Sequence, residues 1–151
     1  MLFARINRAN PEKVFVVCLN SSTTSALSNG QAVAWDYVTD VNGYSVMRPT
    51  ANATSAGTAC AGVVSEAIAV GEYGLVQCWG YHSATRVRAK TSAGPEVLAG
   101  TSLVVNTAGS LYCLESMTTA STVVLTYPCG FAYGATAGFT TATIAVHIKA
   151  L

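Results

Sequence analysis

The sequence predicts an all-β fold, a small β-barrel or sandwich with an N-terminal arm and an extended C-terminal segment. Three observations carry this expectation. Nearly every segment joins β-branched or aromatic residues to Gly, Asn, Ser or Thr punctuation, which marks short strands and tight turns. Glycine-containing turn signals recur along the chain. Helix start and stop signals are scarce.

The elements follow in order. Residues 1–13 read as an arm, with Phe3, Arg5 and Arg8 able to reach a neighbouring subunit, and residues 14–151 form one β-rich domain. Strands are expected over 14–19, 31–37, 44–47, 62–67, 74–81, 85–90, 102–105, 111–115 and 122–127. Turns are expected at Ser28-Asn29-Gly30, Asn42-Gly43, Val70-Gly71-Glu72, Ala93-Gly94-Pro95 and Ala108-Gly109, where glycine permits positive φ. The small polar stretch PTANATSAGTACA, residues 49–61, reads as a long loop. In the tail FTTATIAVHIKAL, Ile144, Val146 and Ile148 alternate as in a strand, while Ile144, Ile148 and Leu151 also fit a helical stripe; the strand reading is preferred. NGQAVAWDY and EYGLVQCWGY echo one another, and two strands of similar environment explain the echo better than a duplication.

Composition narrows the functional classes. The 151 residues suffice for one domain with a continuous core. Charged residues make up 10% of the chain, where about 25% is usual for soluble domains. So neutral a surface suits neighbouring subunits, because interface cores are depleted in charge. The formal net charge of +1 argues against a field that would hold nucleic acid or an anionic membrane. No apolar run reaches the length of a membrane span, and Arg5 and Arg8 interrupt any apolar region of a signal peptide. Cys18, Cys60, Cys78, Cys113 and Cys129 are odd in number and contain no C-x-x-C pair, so they read as reduced, buried thiols of a protein made in a reducing cytoplasm. The sequons at Asn20 and Asn52 are then idle.

Candidate chemistry is sparse. Arg86, Arg88 and Lys90 alternate with Val87 and Ala89, so in a strand they share one face as a basic stripe. That stripe serves as a solvated face or as a docking patch for acidic partners; three cations are few for duplex binding. Leu75, Gln77, Trp79 and Tyr81 share one strand face, with Val76, Cys78, Gly80 and His82 on the other. Trp79 and Tyr81 suit core or interface anchors better than a ligand-stacking site, and Trp35 and Tyr37 are read the same way. Cys78, His82 and the distant His147 lack the clustered ligands that zinc needs, and no base is placed to activate a thiol. Asp36, Asp40, Glu66 and Glu72 fit turns. Phosphate-binding, nucleophile-elbow and zinc-protease patterns are absent from the sequence. An enzyme is not expected, and neither a cofactor nor a metal is.

The run AGVVSEAIAVGEYGLVQCWGYHSATRVRA, followed by AGTSLVV and AGSLYCLES, resembles the β-rich decoration or cement proteins of tailed-phage heads. In that family a similar GEYGLVQ run leads into an AGT turn and an AG hairpin. The upstream LSNGQAVAWDYVTDVNGYSVMRPT is also similar, so the likeness covers residues 28–127, while the arm and the tail after Tyr127 have no counterpart. The resemblance implies a non-enzymatic virion component, usually trimeric, made in the host bacterial cytoplasm. It would sit on the outer capsid surface where major capsid protein subunits meet. Arg5, Arg8, Arg86, Arg88, Lys90, Trp79 and Tyr81 are the candidate capsid or intersubunit contacts. The alternative is a receptor- or glycan-binding virion module, a head fibre or tail-associated adhesin domain, with outward tryptophans beside Asp or Asn.

Overall fold

The computed structural model describes residues 12–37, 39–49, 59–88, 97–105, 114–116, 128–136 and 141–150, with 114–116 given as backbone. The fold is all-β. Its strands are β1 (Lys13–Asn20), β2 (Ala32–Trp35), β3 (Ser45–Met47), β4 (Cys60–Val64), β5 (Tyr73–Arg88), β6 (Ser102–Val105), β7 (Leu114–Ser116), β8 (Gly130–Ala132) and β9 (Ala142–Lys149). They form one sheet in the order β1-β3-β2-β4-β5-β7-β6-β8-β9, with further pairings β1–β5 and β5–β9.

Those two further pairings close the sheet twice. The first ring runs β1-β3-β2-β4-β5 and returns to β1; the second runs β5-β7-β6-β8-β9 and returns to β5. The molecule is therefore a pair of five-stranded barrels sharing one strand. At 16 residues and about 3.3 Å per residue, β5 is about 50 Å long. Its first half pairs with β1 and β4, its second half with β9 and β7. Closure gives every described strand a neighbour on both sides, though β1 meets β3 only at Leu19 and Asn20, and β5 meets β7 only at Val87 and Arg88.

The rings repeat one another pairing for pairing. In each, the first strand runs parallel to the third, and every other neighbour is antiparallel. The bridge Leu27–Ile68 before β2 and after β4 recurs as Val97–Thr136 before β6 and after β8. Gly30 N–H donates to Val64 O at 2.9 Å, and Gly100 N–H to Ala132 O at 2.7 Å. Both glycines have positive φ, 75° and 86°. The N–H of Ser28 donates to Gln31 Oε1, and that of Leu98 to Thr101 Oγ1. The unit β1–β5 thus recurs as β5–β9. The NGQAVAWDY and EYGLVQCWGY echo falls on β2 and β5, which are not equivalent positions, so the repeat lies elsewhere.

Each ring has its own core, filled by side chains as small barrels require. Cys18, Leu27, Val33, Val46, Val64 and Val76 belong to the first. Leu103, Val105, Val146 and Ile148 belong to the second, joined by Ala32 and Val63, which point out of the first ring. The outer wall of the first barrel therefore packs into the second.

Several boundaries differ from expectation. The strands expected over 74–81 and 85–90 are one strand. Ser83 and Ala84 form a β-bulge rather than a break: between His82 and Thr85 the register against β9 slips. His82 Nδ1 accepts from the Ala84 N–H at 3.3 Å and lies 3.0 Å from Thr85 Oγ1, which holds the extra residue in place. The bulge also switches inward parity, so that Val76, Cys78 and His82 are buried before it and Thr85 and Val87 after it. The strand expected over 62–67 begins at Cys60 and ends at Val64, because Ile68 leaves the ladder to bridge Leu27. β7 covers the end of the strand expected over 111–115, whose first residues lie outside the described ones. β8 was not foreseen. The tail forms a strand, β9. The strand expected over 122–127, the turns at Gly94 and Gly109, and residues 1–11 of the arm lie outside the described residues; Lys13 already opens β1.

Asn20 ends β1 as a buried clasp. Its Nδ2 donates to the carbonyls of Ser25, Ile68 and Ala69 at 3.1–3.2 Å, and its Oδ1 accepts from the Ser22 N–H. The sequon asparagine is thus fully buried.

Candidate interaction surfaces

Of the basic residues, Arg86 and Arg88 lie on β5, half-buried, on either side of the fully buried Val87. The alternation expected of that stretch is present. Lys90, Arg5 and Arg8 lie outside the described residues. The Arg86 backbone N–H donates to Gly30 O at 2.8 Å, so this part of β5 is also where the first ring's β2 turn docks.

Trp79 and Tyr81 join Phe131 and Tyr133, which sequence reasoning missed, and His147, which it weighed only as a distant metal ligand. Cross-strand register sets Tyr81 opposite His147, and His147 opposite Phe131, in a row across β5, β9 and β8. Phe131 stacks on His147 with centroids 4.9 Å apart and planes 9° apart. Trp79 meets His147 edge-on at 5.4 Å, and Tyr133 lies against Tyr81 and Phe131 at 5.6 and 5.4 Å. The Tyr133 hydroxyl is 3.2 Å from His147 Nδ1, a hydrogen bond whose direction follows the imidazole tautomer. Offset and edge-on rings at these spacings stabilise one another by about 0.5–1.5 kcal/mol per pair beyond burial. Phe131 and Tyr133 remain 37% and 47% exposed. The result is an ordered aromatic wall on the outside of the second barrel.

A shallow depression of about 420 Å³ opens beside Trp35, lined by Asp36, Tyr37, Asp40, Val41, Gly43 and Ala59. Its two carboxylates build the loop between β2 and β3. Asp36 accepts from the Ser21 hydroxyl at 2.8 Å, from the Thr39 N–H and from the Thr39 hydroxyl. Asp40 accepts from the N–H groups of Asn42, Tyr44 and Ser45 at 2.7–3.0 Å. Hydrogen bonding to Ser45, then to the Tyr44 and Asn42 amides, holds the Asp40 carboxyl below the usual carboxylate range against a smaller opposing effect of desolvation. Both acids fill turn roles. Trp35 is half-buried, as is Trp79.

Cys78 and His82 both point inward from β5. Burial raises the Cys78 thiol and pushes Cys18 up to about 11, with Cys78 adding to the latter. A hydrogen bond with Cys129, and then burial, raises Cys60. Cys18, Cys60, Cys78 and Cys129 are free thiols, and those three with raised values stay protonated at neutral pH. Burial, with Lys13 nearby, lowers the His82 imidazole. Among the described residues no three of His, Cys, Asp and Glu are grouped to hold a metal.

No protein-family model matches the chain, and no curated protein matches it. Among solved structures it is similar to the N base of the head fibre protein gp8.5 of bacteriophage phi29, at 15% identity, covering 89% of this chain and 94% of that one with a TM-score of 0.47.

Proposed function

We propose that this chain is a structural virion protein that decorates a tailed-phage head and stabilises it by bridging major capsid protein subunits on the outer surface. It acts as a homo-oligomer, a trimer by family resemblance, without catalysis or cofactor. The observation that carries this reading is the pairing of a 10% charged composition with ordered apolar faces on the outside of a doubly closed barrel. The segment bearing the family resemblance, residues 28–127, includes β5, the strand that both rings share. Rings closed on themselves resist opening because each described strand has a neighbour on both sides. Such a body can bridge joints that must withstand internal pressure, each joint burying about 1,600 Å² in an ordinary specific interface.

The receptor- or glycan-binding alternative has the Trp35 and Tyr37 depression in its favour. Its carboxylates are engaged in the loop, which leaves few polar groups to orient a sugar.

The test adds the purified chain to heads assembled without it. Saturable co-sedimentation and a raised temperature of genome release are expected. Heads that neither bind the chain nor gain heat resistance contradict the proposal.

A further inference from the structure

The second barrel covers one wall of the first. On that wall Ala32, Val63 and Gln77 are 0%, 0% and 1% exposed, and Ala32 and Val63 lie inside the second core cluster. Their counterparts by pairing are Ser102, Phe131 and His147: Ala32 pairs with Val63 as Ser102 pairs with Phe131, and Val63 with Gln77 as Phe131 with His147. In the second ring Ser102 and Phe131 are exposed and His147 is half-buried.

Two thiols meet where the barrels join. Cys60 opens β4 opposite Ala34 and, from the first ring, packs against the second core. Cys129 belongs to that core and immediately precedes β8. Each stands just ahead of the glycine, Gly62 or Gly130, that holds the same place in its ring. The two side chains are hydrogen bonded to one another, and both are free thiols. Their backbones are held in place. The Cys129 N–H donates to Leu103 O at 2.8 Å, its carbonyl accepts from the Lys149 N–H at 2.7 Å, and beside Cys60 the Trp35 N–H donates to Ala59 O at 2.9 Å. The other neighbouring pair is aimed elsewhere: Cys18 Sγ donates to Val16 O at 3.9 Å and Cys78 Sγ to Val14 O at 3.4 Å.

We infer that Cys60 and Cys129 are an oxidation site, converted by a small-molecule disulfide such as oxidised glutathione into one intrachain disulfide that fastens the first barrel to the second. The half-buried Cys60 is the sulfur that a reagent reaches first, since Cys129 is buried. Its thiolate attacks the reagent's S–S bond, forming a mixed disulfide and expelling one reagent thiolate. The Cys129 sulfur, deprotonated in turn, attacks Cys60 Sγ, which closes the protein disulfide and expels the second thiolate. Both cysteine protons end on the two reagent thiols, so two protein thiols are oxidised as one small disulfide is reduced. The Cys129 hydrogen bond and burial, which raise Cys60, keep its thiolate scarce. Exchange is therefore slow near neutral pH and quickens as pH rises. A link between residues so far apart in sequence restricts the unfolded chain and so stabilises the folded one. This site goes beyond the proposed function; only its setting, a passage from a reducing cytoplasm to an oxidising medium, rests on that reading.

The isolated chain is equilibrated at mildly alkaline pH, without denaturant, in glutathione buffers from fully reduced to fully oxidised, then alkylated and mapped by peptide mass spectrometry. Loss of two of the five thiols with a linked Cys60–Cys129 peptide is expected, together with a urea midpoint above that of the reduced chain. Cys60→Ser and Cys129→Ser are each expected to keep their remaining thiols and to show no oxidant-dependent shift of the midpoint. Should circular dichroism show that either variant fails to fold, the wild-type peptide map and midpoint decide alone. Thiols retained in full at every buffer ratio, a linkage between other cysteines, or a linked chain whose midpoint is no higher than the reduced one overturns the inference. Capsids take no part in this experiment, so its failure leaves the decoration role to be judged by its own.

Discussion

Gly62 and Gly130 stand at the same place in the two rings, and a Cβ on either would lie 2.2 Å from a backbone carbonyl oxygen, that of Gln77 in the first and of His147 in the second. Backbone cannot yield as a flexible side chain can. Gly130→Ala is expected to cost about 1–3 kcal/mol through overpacking. At Gly62, φ is 138°, so Gly62→Ala adds about 1–3 kcal/mol of backbone strain. Gly71→Ala, whose Cβ meets nothing within 4 Å, is the control for strain without collision. Urea denaturation of the three variants checks the order Gly62, Gly130, Gly71.

Sharing β5 makes the barrels one cooperative unit. Val33 lies in the first core and Leu103, its counterpart, in the second. Leu103→Ala is expected to cost about 2–5 kcal/mol, and Val33→Ala less because fewer methyl groups are lost. Both should shift a single transition on which tryptophan fluorescence and far-ultraviolet circular dichroism coincide. Two separable transitions, each sensitive to one variant, would show that the rings fold independently.

Asn20 donates to three carbonyls on two loops. Asn20→Ala removes these bonds from a fully buried position and is expected to cost about 1–3 kcal/mol. Asn20→Asp sets a carboxylate against the same carbonyls, so at neutral pH it should be worse than alanine, and acidification should narrow the gap. Urea midpoints at neutral and acid pH measure both effects.

The His82 imidazole is lowered from its ordinary value of 6.5 by burial and by Lys13. Between the ordinary and the lowered values the unfolded chain binds more protons than the folded one. Stability therefore rises with pH across that window and is lost as pH falls through it, levelling off for this group below the lowered value. Neutral His82 carries its proton on Nε2, leaving Nδ1 to accept from Ala84 and Thr85, so protonation also loosens the bulge. Urea midpoints across about pH 7.5 to about pH 5 should show this slope in wild type and a flatter one in His82→Gln.

Much of the fold was legible where local chemistry decides it. Gly30, Gly43 and Gly71 were expected at turns and have φ of 75°, 74° and 73°. β6 matches the expected 102–105, because an apolar run bounded by turn residues states its own limits. Strand β5 was expected as two strands, 74–81 and 85–90, with residues 82–84 between them; the β9 ladder and the His82 ring show the chain continuing. Three-residue β8 is too short for periodicity to register. The repeat escaped because ring-to-ring counterparts differ in kind: Ala32 against Ser102, Val63 against Phe131, Gln77 against His147. Burial dictates small or amide residues on the covered wall and permits aromatics on the open one. Trp79 and Tyr81 were singled out from the sequence, whereas Phe131, Tyr133 and His147 meet them through register across three strands, which spacing along the chain does not encode. Phe131 and Tyr133, alternating in GFAYG, held the one local hint.

The most direct test of the decoration role is an electron cryomicroscopy reconstruction of heads assembled without the chain and then saturated with it. The account predicts double-barrel density on the outer surface, spanning joints between neighbouring major capsid protein subunits. Density confined to a single capsid subunit, to the tail or to the interior, or no added density at all, would contradict it.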